Sequence, residues 1–356
     1  MSTLYIDRQG SHLHVQTGVL HITTPTGEAD RRLPLKYLDR IVLRTDTQLS
    51  SKVLCALADS GVNLIALGGR GGQKIAQITG TPHNDARRRW QQVLTLSQPH
   101  ACAQLAHGII HSKVKRQRAT LQHITALRPD IRKPLFDGQQ RLSGILATLQ
   151  SANTGTHTLD QLRGLEGAAA AMYFEAYFSA FAPALRATGR NRRPPRDPVN
   201  AVLSLSYTML YAQATAACWD AGLDPALGAL HTLSHGRAAL ACDLMEPYRP
   251  LVDLWVWQLF RDGQLRDEHF GCDGSGALLL GKAGRGHFYA AWEQQAHHHQ
   301  RSLLRYARAI DKVLQNGSPQ AAWSHLIDNP IGQSADLSDD DTADTSAQGL
   351  KQTITD

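Results

Sequence analysis

At 356 residues and 42% apolar content, the chain is long enough for two domains or one large one and can fill a sizeable core. The segment Met1 to Arg8 has no basic-then-apolar pattern, and no uncharged apolar run approaches the roughly 18 residues of a spanning helix, so a soluble, cytoplasmic protein without membrane contact is expected. The net charge is +6, but residues 331 to 356 hold six aspartates against one lysine, a net −5, which leaves +11 on the rest.

Residues 1–83 read as a β-rich N-terminal domain. Leu4-Tyr-Ile, His12-Leu-His-Val-Gln, Val19-Leu-His-Ile-Thr and Arg40-Ile-Val-Leu-Arg are short, β-branched and separated by turn residues. Ser50 to Ser60 has helical spacing closed by Gly61, and Val62 to Leu67 reads as a buried strand. Gly68 to Gly72 could suggest a phosphate loop, but it lacks the Gly-Lys-Ser/Thr ending and is followed by the strand-like Lys74-Ile-Ala-Gln-Ile-Thr, so a β-turn is the better reading.

Beyond Pro82 the chain turns helical, with Asn84 or Asp85 as a cap, and residues 84–328 form an α-helical domain. Arg87–Leu96, Gln104–Leu127, Thr158–Phe181, Val199–Ala221, Pro225–Leu233, Leu244–Phe260 and His287–Leu314 carry apolar residues at three and four spacings. Residues 186–198 form a basic, proline-containing loop, and 265–286 are glycine-rich with a strand-like Ala277-Leu-Leu-Leu. Residues 329–356 are polar and acidic, a composition that favours disorder. The fold class is therefore α+β.

The five scattered cysteines include no Cys-x-x-Cys pair, which argues against a thiolate zinc site. Positive charge clusters at 87–89, at Lys113, Lys115, Arg116 and Arg118, and at Arg186, Arg190, Arg192, Arg193 and Arg196, a pattern that suits a polyphosphate backbone. Glu166 opens a segment that is apolar almost all round, where an unpaired carboxylate is costly. His231 falls at the end of the Asp224-Pro-Ala-Leu-Gly helix pattern, where the helix dipole favours an imidazole. Asp243 and Glu246 have capping-box spacing, with Pro247 marking a helix start. Residues three apart also share a helical face, so local sequence does not separate a cap from a metal ligand. Together these carboxylates and one imidazole suit Mg²⁺ or Mn²⁺ and phosphoryl-transfer chemistry.

Four stretches in order, Leu162-Arg-Gly-Leu-Glu-Gly-Ala-Ala-Ala, Asn191-Arg-Arg-Pro-Pro-Arg-Asp-Pro-Val-Asn, Gly222-Leu-Asp-Pro-Ala-Leu-Gly-Ala-Leu-His and Leu240-Ala-Cys-Asp-Leu-Met-Glu-Pro-Tyr-Arg-Pro, resemble the CRISPR adaptation integrase, the CRISPR-associated endonuclease family. Leu33 to Leu43 and Ser60 to Leu67 look like that family's N-terminal β domain. The resemblance implies a divalent ion held by Glu166, His231 and Glu246, with Asp243 near it as a further acidic residue of the catalytic set and Asn200 shaping the site. His235, four residues after His231, is an extra histidine outside the family pattern and an alternative candidate ligand. The resemblance also implies joining of the 3′-hydroxyl ends of captured double-stranded DNA to a CRISPR repeat. A homodimer would form through the β domains, with two dimers bridged by a dimer of a small adaptation partner. Lys113, Lys115, Arg190, Arg192, Arg193 and Arg196 would hold phosphates. The alternative is a structure-specific nuclease of branched repair intermediates, with water as nucleophile.

Overall fold

The computed structural model describes residues 2–25, 31–68, 74–78, 85–151, 157–191, 194–231, 238–274 and 276–316. The glycines at 69, 71 and 72 and the acidic tail lie outside this set.

The first 78 residues build two four-stranded sheets. One has the order β1 (Ser2–Ile6), β5 (Leu38–Leu43), β7 (Asn63–Gly68), β8 (Lys74–Ile78), with only β8 antiparallel to its neighbour. The other has the order β4 (Arg31–Pro34), β3 (Val19–Thr23), β2 (Ser11–Gln16), β6 (Thr47–Leu49). Helix α1 (Ser51–Asp59) packs beside them. Successive side chains of a strand point to opposite faces. In the first sheet Ile41, Leu43 and Leu64 therefore enter a core with Leu13, Leu20, Val53 and Leu57, while Val42, Ile65 and Leu67 enter the core of the helical part. Burial on both faces explains the near-continuous apolar runs of β5 and β7.

The helical part comprises α2 (Ala86–Leu96), α3 (Pro99–Leu127), α4 (Arg132–Ser151), α5 (Leu159–Phe178), α6 (Pro198–Asp220), α7 (Ala239–Met245), α8 (Arg249–Arg261) and α9 (Lys282–Asn316), with a small hairpin of β9 (Phe270–Cys272) and β10 (Leu278–Leu280). The fold is thus a strand-rich N-terminal region followed by a mostly helical one. Among the described residues no helix is long and apolar enough to cross a membrane.

Asp85 caps α2 through Arg87 N at 3.1 Å, as the sequence suggests. Three elements differ from expectation. Helix α4 was not anticipated, because Pro134, Gly138 and Gly144 interrupt its apolar pattern. Gly138 has a packing reason: a Cβ there would meet the Ala176 Cβ of α5 at 2.6 Å, so its absence lets α4 and α5 approach closely. Residues 225–231 form turns rather than a helix, since the amides of Ala229, Leu230 and His231 are bound by the Asp243 carboxylate instead of by helix carbonyls. Finally, the expected helix at 244–260 is two helices joined by a 3-10 turn at Glu246–Tyr248. Pro247 and Pro250 lack the N–H that a continuous helix would need.

Helix α9 ties the two parts together. Its Glu293 accepts from Tyr5 OH at 2.6 Å, its Gln300 accepts from Arg40 at 3.2 Å, and its Arg285 donates to Asp7 at 2.9 Å. His299 on the same helix is buried edge-on against Trp292, its Nδ1 makes no hydrogen bond, and burial lowers its pKa to about 4. The unfolded chain therefore binds this proton more tightly than the folded one, and stability is lost as pH falls from about 6.5 towards 4. His299→Leu is expected to remove up to about 3 kcal/mol of that loss, read from urea unfolding at pH 4.5 and 7.

Candidate active site

Helix α3 is the platform of the site. Lys113, Arg116 and Thr120 lie along one of its faces, at the three and four spacing that aligns side chains. Thr120 Oγ1 donates to the Pro250 carbonyl at 2.9 Å and Arg116 to the Pro247 carbonyl at 2.7 Å, which pins the proline-broken 246–250 segment onto α3. Glu246 is thereby held 4% exposed beside Lys113. From the other side α5 brings Glu166, and Arg163, one turn before it, donates to the Leu230 carbonyl at 3.0 Å. That bond ties the turn carrying His231 to the same face of α5.

These contacts bring Glu166 and Glu246 onto one buried cation, with His231 against Glu246. The Lys113 ammonium bonds Glu166 Oε1 and lies 2.6 Å from Glu246 Oε2. His231 Nε2 stands 3.7 Å from Glu246 Oε1, and Arg249 Nε approaches the same oxygen at 3.1 Å. Burial alone would raise the Glu246 pKa, but Arg249, Lys113 and His231 outweigh it and hold the carboxyl at about 2. Glu246 is therefore an anion at any working pH, while Glu166, 28% exposed at its side chain, opens the cluster to solvent.

Asp243 is fully buried within α7 and does not begin a helix; the cap position is Ala238, seven residues from Met245. The capping box expected of Asp243 and Glu246 is therefore absent. Its Oδ2 accepts from Ala229 N at 2.6 Å and Leu230 N at 3.0 Å, and its Oδ1 from His231 N at 3.1 Å and His231 Nδ1 at 2.6 Å. Because an ionised carboxylate only accepts, His231 Nδ1 carries a proton, and Nε2 is the nitrogen turned toward Glu246. This is the arrangement by which a second carboxylate orients a metal-binding histidine. With both oxygens engaged, Asp243 is a holder of His231 rather than a further ligand. Gly228 makes the closure possible, since a Cβ there would lie 2.7 Å from Asp243 Oδ2 and from the Ala239 carbonyl carbon.

Among the described residues no three His, Cys, Asp or Glu side chains stand close enough, as placed, to hold an ion. The donor set nevertheless fits one: two carboxylates meet where a cation, the Lys113 ammonium, already sits, and the imidazole of His231 is turned toward the other oxygen of one of them. Buried Glu246 Oε2 has no well-aligned hydrogen bond despite the short contact to Lys113, an oxygen left to a charge rather than to a directed donor.

Asn200 is buried apart from this cluster. It accepts from Arg190 at 2.7 Å and Asn191 N at 3.1 Å and donates to Gly189 O and Asp197, so it ties residues 189–191 to Asp197 at the start of α6. The basic residues divide. Lys113 is buried in the site and does not offer the exposed, phosphate-facing position expected of it. Arg190 is likewise drawn inward over the Tyr207 ring and onto Asn200. Lys115 and Arg196 are exposed, whereas Arg192, Arg193 and His235 lie outside the described residues.

Sequence reasoning missed Arg249 and the network behind it. Arg249 stacks on Tyr207 at 4.7 Å, and Tyr207 and Tyr173 both donate to buried Asp253, at 2.5 and 3.0 Å. The Glu246/Arg249 spacing of three was a legible signal, but the tyrosines read as ordinary core.

The sequence profile described as CRISPR associated protein Cas1 matches residues 4–294. A CRISPR-associated endonuclease Cas1 of Thermodesulfovibrio yellowstonii is 35% identical over 297 residues, covering 83% of this chain and 91% of that protein. The chain belongs to the Cas1 family. Among solved structures, a casposase bound to integration product superposes on this Cas1 chain with a TM-score of 0.78 at 21% identity, covering 94% and 95% of the two chains. A Cas6-RT-Cas1–Cas2 complex matches with a TM-score of 0.74 at 23% identity, over 90% of this chain and 36% of that one. At such identities these likenesses speak for the Cas1 fold.

Proposed function

We propose that this Cas1-family chain is a divalent-metal-dependent DNA endonuclease and integrase that joins 3′-hydroxyl ends of captured DNA to a CRISPR repeat. The observation that carries the reading is the buried cation held between Glu166 and Glu246 beside an imidazole whose Nε2 is freed by Asp243. Glu166, Glu246 and His231 Nε2 would hold Mg²⁺ or Mn²⁺, which when bound supplies polarisation of a phosphodiester and neutralisation of charge on the attacking and leaving oxygens. Asp243 holds the Nδ1 proton of His231 so that Nε2 can act as the ligand atom, and the charges of Arg249 and Lys113 keep Glu246 ionised against its burial. Glu166, at the open edge, is where the substrate would enter.

Support for a nucleic-acid substrate comes from the charge of the folded body and from a casposase of the same fold that carries an integration product. The occurrence of Cas2 beside a Cas1-containing chain of this fold supports Cas2 as the small partner, with a homodimer through the β region as the unit it bridges.

The test is joining of a short duplex with 3′-hydroxyl ends to a repeat-bearing plasmid, with Cas2 added. Joined product is expected with Mn²⁺ or Mg²⁺ and none with EDTA. Cleavage of branched DNA with no joined product under any of these conditions would instead favour a repair nuclease. Exposed Lys115 and Arg196 are expected to contact phosphate: Lys115→Ala with Arg196→Ala should lower the slope of log Kd against log salt by about 2, measured by fluorescence anisotropy.

A further inference from the structure

Lys113 has a place that neither an exposed phosphate contact nor a purely structural ion pair explains. It is 6% exposed, projects from α3 between two carboxylates that belong to separate elements, and touches one oxygen of each. Its 2.6 Å contact with Glu246 Oε2 joins two full charges, and a divalent ion can supply that positive charge in its place. Arg249 differs. It reaches the other oxygen of Glu246, also without an aligned hydrogen bond, but it is stacked over Tyr207, which Asp253 anchors. A lysine ammonium is a compact charge on a flexible four-carbon stem, whereas the stacked guanidinium is not free to swing.

We propose that the Lys113 ammonium is an internal stand-in for the divalent ion: it holds Glu166 and Glu246 in register in the metal-free protein and is displaced from between them when the ion binds. This inference rests on the metal-site reading given above. The balance of charge supports it. Lys113 and Arg249 together offset two of the three carboxylates gathered here, Glu166, Glu246 and Asp243, so a divalent ion added beside an unmoved ammonium would meet little anionic excess, and like charges within a few ångströms repel. Lys113 is thus a positioning residue with a built-in cost to metal affinity, which prevents the two carboxylates from splaying apart when no ion is present.

The experiment is calorimetric titration of Mn²⁺ into the full-length protein, its Lys113→Met variant and its Glu166→Gln variant, alongside metal-free thermal unfolding. The wild type is expected to bind and Glu166→Gln to lose binding. Lys113→Met should bind about tenfold more tightly, with a lower metal-free Tm that Mn²⁺ raises by more than it does in the wild type. A folded Lys113→Met protein that binds Mn²⁺ no more tightly than wild type overturns the inference while leaving the metal site standing. If the wild type itself binds neither Mn²⁺ nor Mg²⁺, the metal-site reading falls and the inference with it. Should Lys113→Met not fold, wild-type protein labelled with [13Cε]lysine decides. The Lys113 signal, assigned by its absence from Lys113→Arg, is expected to shift on saturation with Mg²⁺ in the wild type but not in Glu166→Gln. An unshifted signal in metal-saturated wild type overturns the inference.

Discussion

Glu166→Ala is expected to slow strand joining by about 10³-fold, because loss of several kcal/mol of charge stabilisation by a misheld ion corresponds to a factor of that size. The fold should survive. Glu166 is partly exposed, and its partner Lys113 retains Glu246, so no buried cation is stranded. His231→Ala should behave similarly in rate. Glu246→Ala is a different experiment, since it leaves Lys113 and Arg249 buried without their shared anion, a situation that costs about 3–5 kcal/mol. Its loss of joining would therefore mix catalysis with stability, and Glu166→Ala is the cleaner probe. Joining by a folded Glu166→Ala protein at the wild-type rate, followed on a denaturing gel with Mn²⁺, would remove Glu166 from the site.

Asp243→Ala is expected to be strongly destabilising, by at least about 3 kcal/mol, because three backbone amides, two of them buried, and the His231 Nδ1–H lose the acceptor that holds them. Asp243→Asn keeps the shape but places an amide N–H against groups that are themselves donors. It should fold less stably and, by letting the imidazole turn, lower metal affinity or joining by about 10- to 100-fold. Chemical unfolding and Mn²⁺ titration of the two variants read these effects separately. An Asp243→Asn protein with unchanged affinity and rate would show that His231 needs no such holder.

The contrast between Asp243 and Glu246 shows how far local sequence reaches. Their spacing of three satisfied both a capping box and a shared ligand face, and nothing nearby chose between them. The structure rejects the cap, since α7 starts at Ala239, and assigns the two carboxylates different work. Asp243 binds a turn twelve to fourteen residues earlier, and Glu246 meets Lys113, 133 positions away, and through it Glu166, 80 positions away. The same long-range bonds explain why 225–231 is not helical despite its apolar spacing: the periodicity was real, but the amides were taken by a carboxylate from another element. Lys113 was legible as a basic residue and misplaced as a surface one. Its apolar neighbours Ile109, Ile110 and Val114, all buried, were the sign that this stretch of α3 faces inward.

What the sequence alone determined is whatever rests on short-range order: alternation in the N-terminal strands, three and four spacing in most helices, the Asp85 cap, and the ordered motifs that carry the family. What only the tertiary structure decided is which charges meet. A carboxylate's role depends on the cation or amide facing it, and those partners arrive from α3, α5 and the 225–231 turn through packing that no local window contains. The cation between Glu166 and Glu246 is the plainest case, because three elements distant in sequence must close together before it exists.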